Sequence, residues 1–373
     1  MHAALPLRFP KADRCLHIDG GGLGLTDRAR LFVLVVILLF SGCKSGLMQP
    51  IEAGDGRTPT ASASPTESSP TPLSVSGAPA TSATDAAPIA QTTETPLTPS
   101  ATPLPAPTGT PFVCPYLHGR TEIGALTSEA MGEQVRFLVH LPPCYDQFPT
   151  KAFPSLYLFH GWPLNEWHWD DLGMDEWTDD WTSRGLAGPF ILIMPGVGQD
   201  GRYVNSSGGD GSFEGLVVNE LVPHIDNTYR TVSEPWGRGV SGISRGGVWA
   251  LEIAMRHQDL FGSVGGHSPA LALNRPLPAY DPYLLAREDI SGLRFYLDAG
   301  DGDWARAGTI RFRDLLLEVG ADVTYDVHEG GHVDELWRRG IPDYLAFHTK
   351  YWPVSYQALP EWVDADHGTP PDG

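Results

Sequence analysis

Between Val113 and Pro353, apolar runs of strand length alternate with stretches of helical periodicity, and this alternation constrains the fold more than any other feature of the chain. The strand-length runs are 136–141, 155–159, 190–194, 238–242, 263–266, 293–299 and 323–327. Helical patterns fall between them, such as 246–257 and 307–319, the second closed by Gly320 as a helix stop. Strands this short and this uniformly apolar cannot leave a face in water. They predict an α/β domain with a mostly parallel central sheet and helices on both faces.

The flanks read differently. Arg28 and Arg30 precede an unbroken apolar run, 31–40, which is too short to span a bilayer, where about 20 residues are needed, but suits the core of a signal peptide. Ser41-Gly42-Cys43 follows, small residues ending in a cysteine. This resembles the bacterial lipoprotein signal, with Phe40 standing where that signal prefers Leu, and the resemblance implies cleavage before Cys43 and its acylation. Residues 1–43 are therefore expected to be a lipoprotein signal segment, and the protein to be exported and lipid-anchored at the bacterial membrane surface. Residues 44–112 are rich in Pro, Thr, Ser and Ala, a composition that supplies too little apolar surface to offset the entropy of ordering. They predict a disordered linker that, fully extended, would reach on the order of 190 Å. Residues 354–373 are expected to be a C-terminal tail.

Of four cysteines, Cys15 would leave with the signal and Cys43 would carry lipid. That leaves Cys114 and Cys144 as a disulfide pair in an oxidising compartment. The formal net charge of -20 and the lack of a run of Lys and Arg argue against nucleic acid as a partner.

Gly242-Ile243-Ser244-Arg245-Gly246-Gly247 is a Gly-x-Ser-x-Gly sequence that follows a predicted strand and opens a predicted helix. A serine on a sharp strand-to-helix turn is raised above the sheet, and Gly242 and Gly246 leave room where the helix passes close to the strand. Ser244 is thus the candidate nucleophile. It needs a base, and the base needs an acid to fix its tautomer. Gly300-Asp301-Gly302-Asp303-Trp304 follows one strand, and Glu329-Gly330-Gly331-His332 follows another, both at carboxyl ends where parallel sheets place their sites. His332 is the candidate base, since His328 falls within the strand end. Asp301 and Asp303 both remain candidates for the acid. His160, His224 and His267 are expected to be hydrogen-bonded or surface residues. Backbone donors for an oxyanion are expected at Arg245, next to the nucleophile, and at Trp162 in His160-Gly161-Trp162-Pro163, since Pro163 has no N–H.

These motifs, with Leu141-Pro142-Pro143-Cys144-Tyr145, Tyr157-Leu158-Phe159-His160-Gly161 and Glu220-Leu221-Val222-Pro223-His224-Ile225-Asp226, carry a resemblance over 113–353 to the Putative esterase family of α/β-hydrolases. That family includes esterase D, feruloyl and acetylxylan esterases, and mycolyltransferases. The resemblance implies an α/β-hydrolase fold, maps Ser244, Asp303 and His332 onto a catalytic triad, and implies hydrolysis of carboxylic esters through an acyl-enzyme. Arg245 departs from the family, which commonly has Met there; the change bears on the polarity of the acyl pocket. An acyltransferase of the mycolyltransferase type and a non-catalytic surface binding module are the alternatives.

No cofactor and no metal set are expected: His160 and His168 lack a Glu at metalloprotease spacing, and no phosphate-binding glycine loop occurs. Trp162, Trp167 and Trp169 are rim candidates for stacking on a sugar or an aromatic acid, so an acyl or aryl ester on a carbohydrate is the expected substrate, while Trp177 and Trp181 read as core. Cys43→Ala is expected to block acylation and leave the signal-bearing precursor. Metabolic labelling with a fatty acid tests this, and label retained by the variant would exclude Cys43 as the modified residue.

Overall fold

The computed structural model describes residues 112–197, 200–204 and 207–363. The expected leader with Cys43, and the Pro-rich stretch up to residue 111, lie outside the described residues. Eight strands form one sheet in the order β1-β2-β4-β3-β5-β6-β7-β8. They are β1 (Arg120–Ser128), β2 (Glu133–Leu141), β3 (Ser155–Phe159), β4 (Ile191–Gly196), β5 (Arg238–Ile243), β6 (Ser263–His267), β7 (Arg294–Gly300) and β8 (Asp322–His328). β2 runs antiparallel to β1 and β4, and every other pairing is parallel.

The seven expected strands are all present, with ends shifted by up to three residues, the largest shift being at the start of β2, where Glu133 and Gln134 extend the ladder with β1. β1 was not anticipated. Its sequence, RTEIGALTS, alternates exposed and half-buried positions because it is the sheet's edge and one face meets water. Gly124 has a packing role there: a Cβ on it would fall 2.2 Å from the ring of Phe137, its cross-strand partner.

Five helices matter for the site: α1 (Met174–Ser183), α2 (Val222–Thr228), α3 (Arg245–Arg256), α4 (Arg306–Glu318) and α5 (Asp334–Thr349). Alternation along the strands feeds two cores. In β3, Tyr157 and Phe159 join the core shared with α2, α3 and α4, while Leu156 and Leu158 join the core shared with α1 and α5. Each such side chain contributes roughly 1.5–3 kcal/mol on burial. Residues Gly246 to Met255 of α3 are buried throughout, so this helix is held on every side. At its base, the fully buried Arg238 guanidinium donates to both carboxylate oxygens of Asp226 (2.9 and 2.6 Å) and to the carbonyls of Ser233 and Leu260. This locks the start of β5, and with it the strand that presents Ser244, to α2.

The domain runs beyond the expected end at residue 353. Tyr356 and Leu359 are buried, the Ala152 N–H donates to the Pro360 carbonyl at 3.0 Å, and the Trp362 N–H donates to Thr150 at 2.7 Å. Residues 354–363 are therefore a strap across the start of β3, tethered by two buried side chains that a composition-based boundary overlooks.

Cys114 and Cys144 form a disulfide, with Cα atoms 6.0 Å apart and 30 residues of separation. It pins the segment entering β1 to the turn leaving β2, closing a loop around the exposed edge pair. A loop of this length corresponds to stabilisation of about 3 kcal/mol. Reduction is expected to lower the domain's unfolding free energy by that order in urea titrations, and a midpoint unmoved by reductant would contradict it.

Candidate active site

The turn between β5 and α3 carries Ser244 at φ 55°, ψ −110°, a conformation that is costly for a residue with a side chain. The crowding around it accounts for the glycines. A Cβ on Gly242 would lie 2.1 Å from the Gly246 carbonyl oxygen, and one on Gly246 would lie 2.4 Å from that of Phe159. The turn is held from the neighbouring strand, since the Ser244 N–H donates to the His267 carbonyl (2.8 Å) and the Ala270 N–H donates to the Ser244 carbonyl (3.0 Å).

Two loops bring partners to this serine. His332 Nε2 lies 2.9 Å from Ser244 Oγ, and His332 Nδ1 lies 3.0 and 3.1 Å from the two oxygens of Asp303. The side chain of Asp303 is inaccessible to solvent and that of His332 is largely so. Burial pushes the Asp303 carboxyl up, but hydrogen bonds from His332, Ser268 and the Ala305 N–H outweigh burial and hold it below its ordinary value. Asp303 is therefore an anion beside the imidazole, which orients a proton onto Nδ1 and leaves Nε2 free to accept from serine.

Asp301, the other candidate acid, does not face the imidazole. Its exposed carboxylate accepts from the Gly330 N–H at 2.9 Å, and the Gly302 N–H donates to the Gly330 carbonyl at 2.9 Å. Asp301 therefore stitches the acid loop to the histidine loop. Gly330 takes φ 135° within that stitch, and Gly300 leaves room for it, since a Cβ there would fall 2.1 Å from the Gly330 carbonyl oxygen.

Three contributors were not anticipated. The Ser268 hydroxyl hydrogen-bonds Asp303 and accepts from Trp337 Nε1 at 3.2 Å. The ring of Trp337 meets His332 edge-on at 5.0 Å, and the exposed ring of Trp304 lies 4.4 Å from it, tilted by 40°. The two indoles restrict the imidazole's rotation. Trp304 adjoins Asp303 in sequence, which could have drawn attention to it. Nothing in the local pattern marks Ser268.

The loop expected to supply an oxyanion donor is built on His168. The Gly161 N–H donates to His168 Nδ1 at 3.0 Å, and His168 Nε2 lies 3.2 Å from Asp334 at the start of α5. Accepting at Nδ1 requires the neutral tautomer, and burial lowers the pKa of His168 accordingly. Tyr203 donates to the His160 carbonyl at 2.5 Å, and burial pulls His160 down to about 4. Among the described residues, neither the Trp162 nor the Arg245 N–H donates to a backbone carbonyl. Trp162 and Trp304 are about half exposed, whereas Trp169 is 1% exposed and donates its indole N–H to the Phe159 carbonyl, so Trp169 is a core residue and not a rim residue. Trp177 and Trp181 pack against the α1–α5 core, as their spacing suggested.

A second Asp–His–Ser series lies beneath the first. His267 is 3.0 Å from Asp298 and 3.2 Å from Ser241, but all three are essentially fully buried. No substrate could reach that serine, so this series serves to satisfy buried polar groups in the sheet. His267 and His160 are thus hydrogen-bonded interior residues and His224 is exposed, as expected of all three. Among the described residues no cluster of three or more His, Cys, Asp or Glu is arranged to hold a metal ion.

The family model described as Putative esterase matches residues 128–348, more than half of the chain. The chain is 31% identical over 158 residues to an endo-1,4-beta-xylanase/feruloyl esterase of Xylanibacter ruminicola, covering 40% of this chain and 21% of that protein. It is 35% identical over 153 residues to Esterase Rv1288 of Mycobacterium tuberculosis, covering 40% and 32%. The chain thus spans a third or less of the length of these relatives. Among solved structures, a ferulic acid esterase superposes with a TM-score of 0.57 at 23% identity, covering 62% of this chain and 98% of that one. The S-formylglutathione hydrolase of Staphylococcus aureus superposes at 0.53 with 16% identity, covering 62% and 99%. These likenesses establish the α/β-hydrolase fold.

The helix that opens at the nucleophile also buries a carboxyl. Glu252 of α3 is 0% exposed, and neither of its oxygens has a hydrogen-bond partner among the described residues. Burial, reinforced by the charge of Glu214, raises its pKa to about 9. Between its unfolded value near 4.5 and 9 the folded state holds a proton that the unfolded state has lost, so stability falls as pH rises through that window. Glu252→Gln is expected to be neutral at pH 4 and to raise the unfolding midpoint progressively from pH 5 to 9. A shift of equal size at every pH would show that Glu252 is not the group responsible.

Proposed function

From the premise that this chain belongs to the Putative esterase family, we propose that it is a serine esterase that hydrolyses carboxylic esters through an acyl-enzyme, with Ser244 as nucleophile, His332 as base and Asp303 as orienting acid. The observation that carries this reading is the unbroken series Ser244–His332–Asp303, with contacts of 2.9, 3.0 and 3.1 Å, on three loops at the carboxyl edge of the sheet.

In this mechanism Ser244 Oγ adds to the ester carbonyl while His332 Nε2 takes its proton. Asp303 stabilises the imidazolium without itself becoming protonated. The carbonyl oxygen becomes an oxyanion and is received by the Arg245 and Trp162 N–H groups. Arg245 is the first residue of α3, so its N–H has no partner one turn back in the helix. His332 then protonates the departing alcohol, leaving acyl-Ser244. Water, deprotonated by the same imidazole, releases the acid and restores the serine.

For substrate we favour an acyl or feruloyl ester on a carbohydrate. The half-exposed indole of Trp304 offers a flat, amphipathic surface against the histidine, and that of Trp162 another on the loop after β3. An activity named for one relative, feruloyl esterase, points the same way. Export with a lipid on Cys43 belongs to the same proposal, and the Cys114–Cys144 disulfide supports an oxidising compartment.

Ser244→Ala is expected to reduce kcat on an aryl ester by roughly 10⁵-fold or more. Asp303→Asn is expected to reduce it by about 10³- to 10⁴-fold, because the imidazole loses its tautomer. Asp301→Asn, which keeps an acceptor for the Gly330 N–H, should stay within about tenfold. Steady-state hydrolysis of a feruloylated oligosaccharide by the three variants checks the assignment. Near-native turnover in Ser244→Ala, or a larger loss at Asp301 than at Asp303, would refute it.

A further inference from the structure

The side chain that follows the nucleophile is a cation with no counter-ion among the described residues. Arg245 is half-buried, and its guanidinium donates to one neutral acceptor, Asn274 Oδ1, at 3.1 Å. The acid within α3 and the one bound at its far end are both unavailable. Glu214 is taken by Arg256 at 2.6 Å and by His257 at 2.7 Å. Glu252, seven residues along α3, is held protonated by its burial. Among the described residues no carboxylate pairs with Arg245, although the whole chain carries a formal net charge of -20 and could readily have supplied one. Withdrawing a guanidinium from water without a counter-charge is costly, and in folded proteins such charges are generally paired.

Asn274, which holds the guanidinium, is also part of the wall of a cavity of about 930 Å³ between the segment after β6 and helix α4. The same wall carries three further arginines, Arg275, Arg287 and Arg311, none of which forms an ion pair among the described residues, and three acids, Asp281, Asp314 and Glu318, of which Asp281 caps a backbone N–H and Asp314 pairs with Arg313.

We propose that Arg245 is a specificity residue that recognises a carboxylate on the substrate, so that the preferred ester carries an anionic group close to the scissile bond, with the Asn274 cavity accommodating the remainder of that portion. This rests on the serine esterase reading above and extends it to the charge of the substrate. The carboxylate could belong to the acyl side, as in a dicarboxylic half-ester, or to the alcohol side, as in an ester of a uronic acid. Both would meet the guanidinium through charge-assisted hydrogen bonds.

The test uses the purified full-length protein and two matched pairs. One pair is mono-4-nitrophenyl adipate and its methyl-capped neutral counterpart. The other is a feruloyl ester of a uronic acid and the same ester of the parent neutral sugar. In at least one pair the charged ester should exceed the neutral one in kcat/KM by about tenfold at low salt, and the ratio should fall as ionic strength rises. Arg245→Gln should bring that ratio close to one, and Arg245→Lys should retain most of it. Ratios near one in both pairs for the native protein, or a ratio unchanged in Arg245→Gln, would overturn the subsite while neutral-ester turnover left the esterase reading intact. Absence of turnover on all four esters would overturn both.

Discussion

The site depends on one steric arrangement, the passage of α3 across the end of β5 at a distance that admits no side chain at Gly242 or Gly246. Because the helix starts within a few ångströms of the Phe159 and His160 carbonyls, the intervening residue is forced to positive φ and its side chain stands above the sheet edge. That strain is held by the rigidity of its surroundings. α3 is buried along almost its whole length, β5 lies fourth from the β8 edge with pairing on both sides, and the Arg238–Asp226 pair fixes the strand's other end. Each neighbour that immobilises this turn also immobilises Ser244.

The loops that meet the serine are tied to one another as firmly as to the sheet. Asp301 holds the histidine loop through the Gly330 N–H, Ser268 and the Ala305 N–H hold Asp303, and Trp304 and Trp337 flank the imidazole. His168 does the same for the oxyanion loop by accepting from the Gly161 N–H. The geometry of three functional side chains is thus maintained by about twice as many residues that take no part in bond making, as preorganised electrostatics requires. The contrast with Asp298–His267–Ser241 is instructive, because that series has similar hydrogen bonds and lacks only solvent access. Chemistry here is decided by which serine lies at the carboxyl edge of the sheet and which lies within it.

Charge is distributed unevenly between the interior and the site. Glu252 and Arg245 share a helix but not a proton or a hydrogen bond, and burial favours the uncharged form of each. A neutral Glu252 leaves the cation beside the nucleophile uncompensated. The same burial that costs stability at high pH therefore removes the one carboxylate of α3 as a counter-ion for Arg245.

The α/β order, the strand–turn–helix at Ser244, the choice of His332 over His328 and the Cys114–Cys144 pair were all legible from the residues alone. Each of these rests on local information: apolar runs of strand length, glycines where backbones must approach, and a count of cysteines. Asp301 against Asp303 could not be separated on that basis, since both follow β7 within one glycine-rich turn, and only the approach of the His332 loop distinguishes them. β1 and the strap at 354–363 were missed because an edge strand and a short tethered segment have weak periodicity, their stability coming from Phe137, Tyr356 and Leu359 packing elsewhere. Trp169 was misread for the same reason, since exposure is a property of neighbours and not of the residue. Ser268 and Trp337, the partners that hold the acid and the base, lie 24 and 93 residues from Ser244 in the chain. Only the tertiary structure brings them to it, because hydrogen bonds and ring contacts act over a few ångströms of space and leave no trace in sequence spacing.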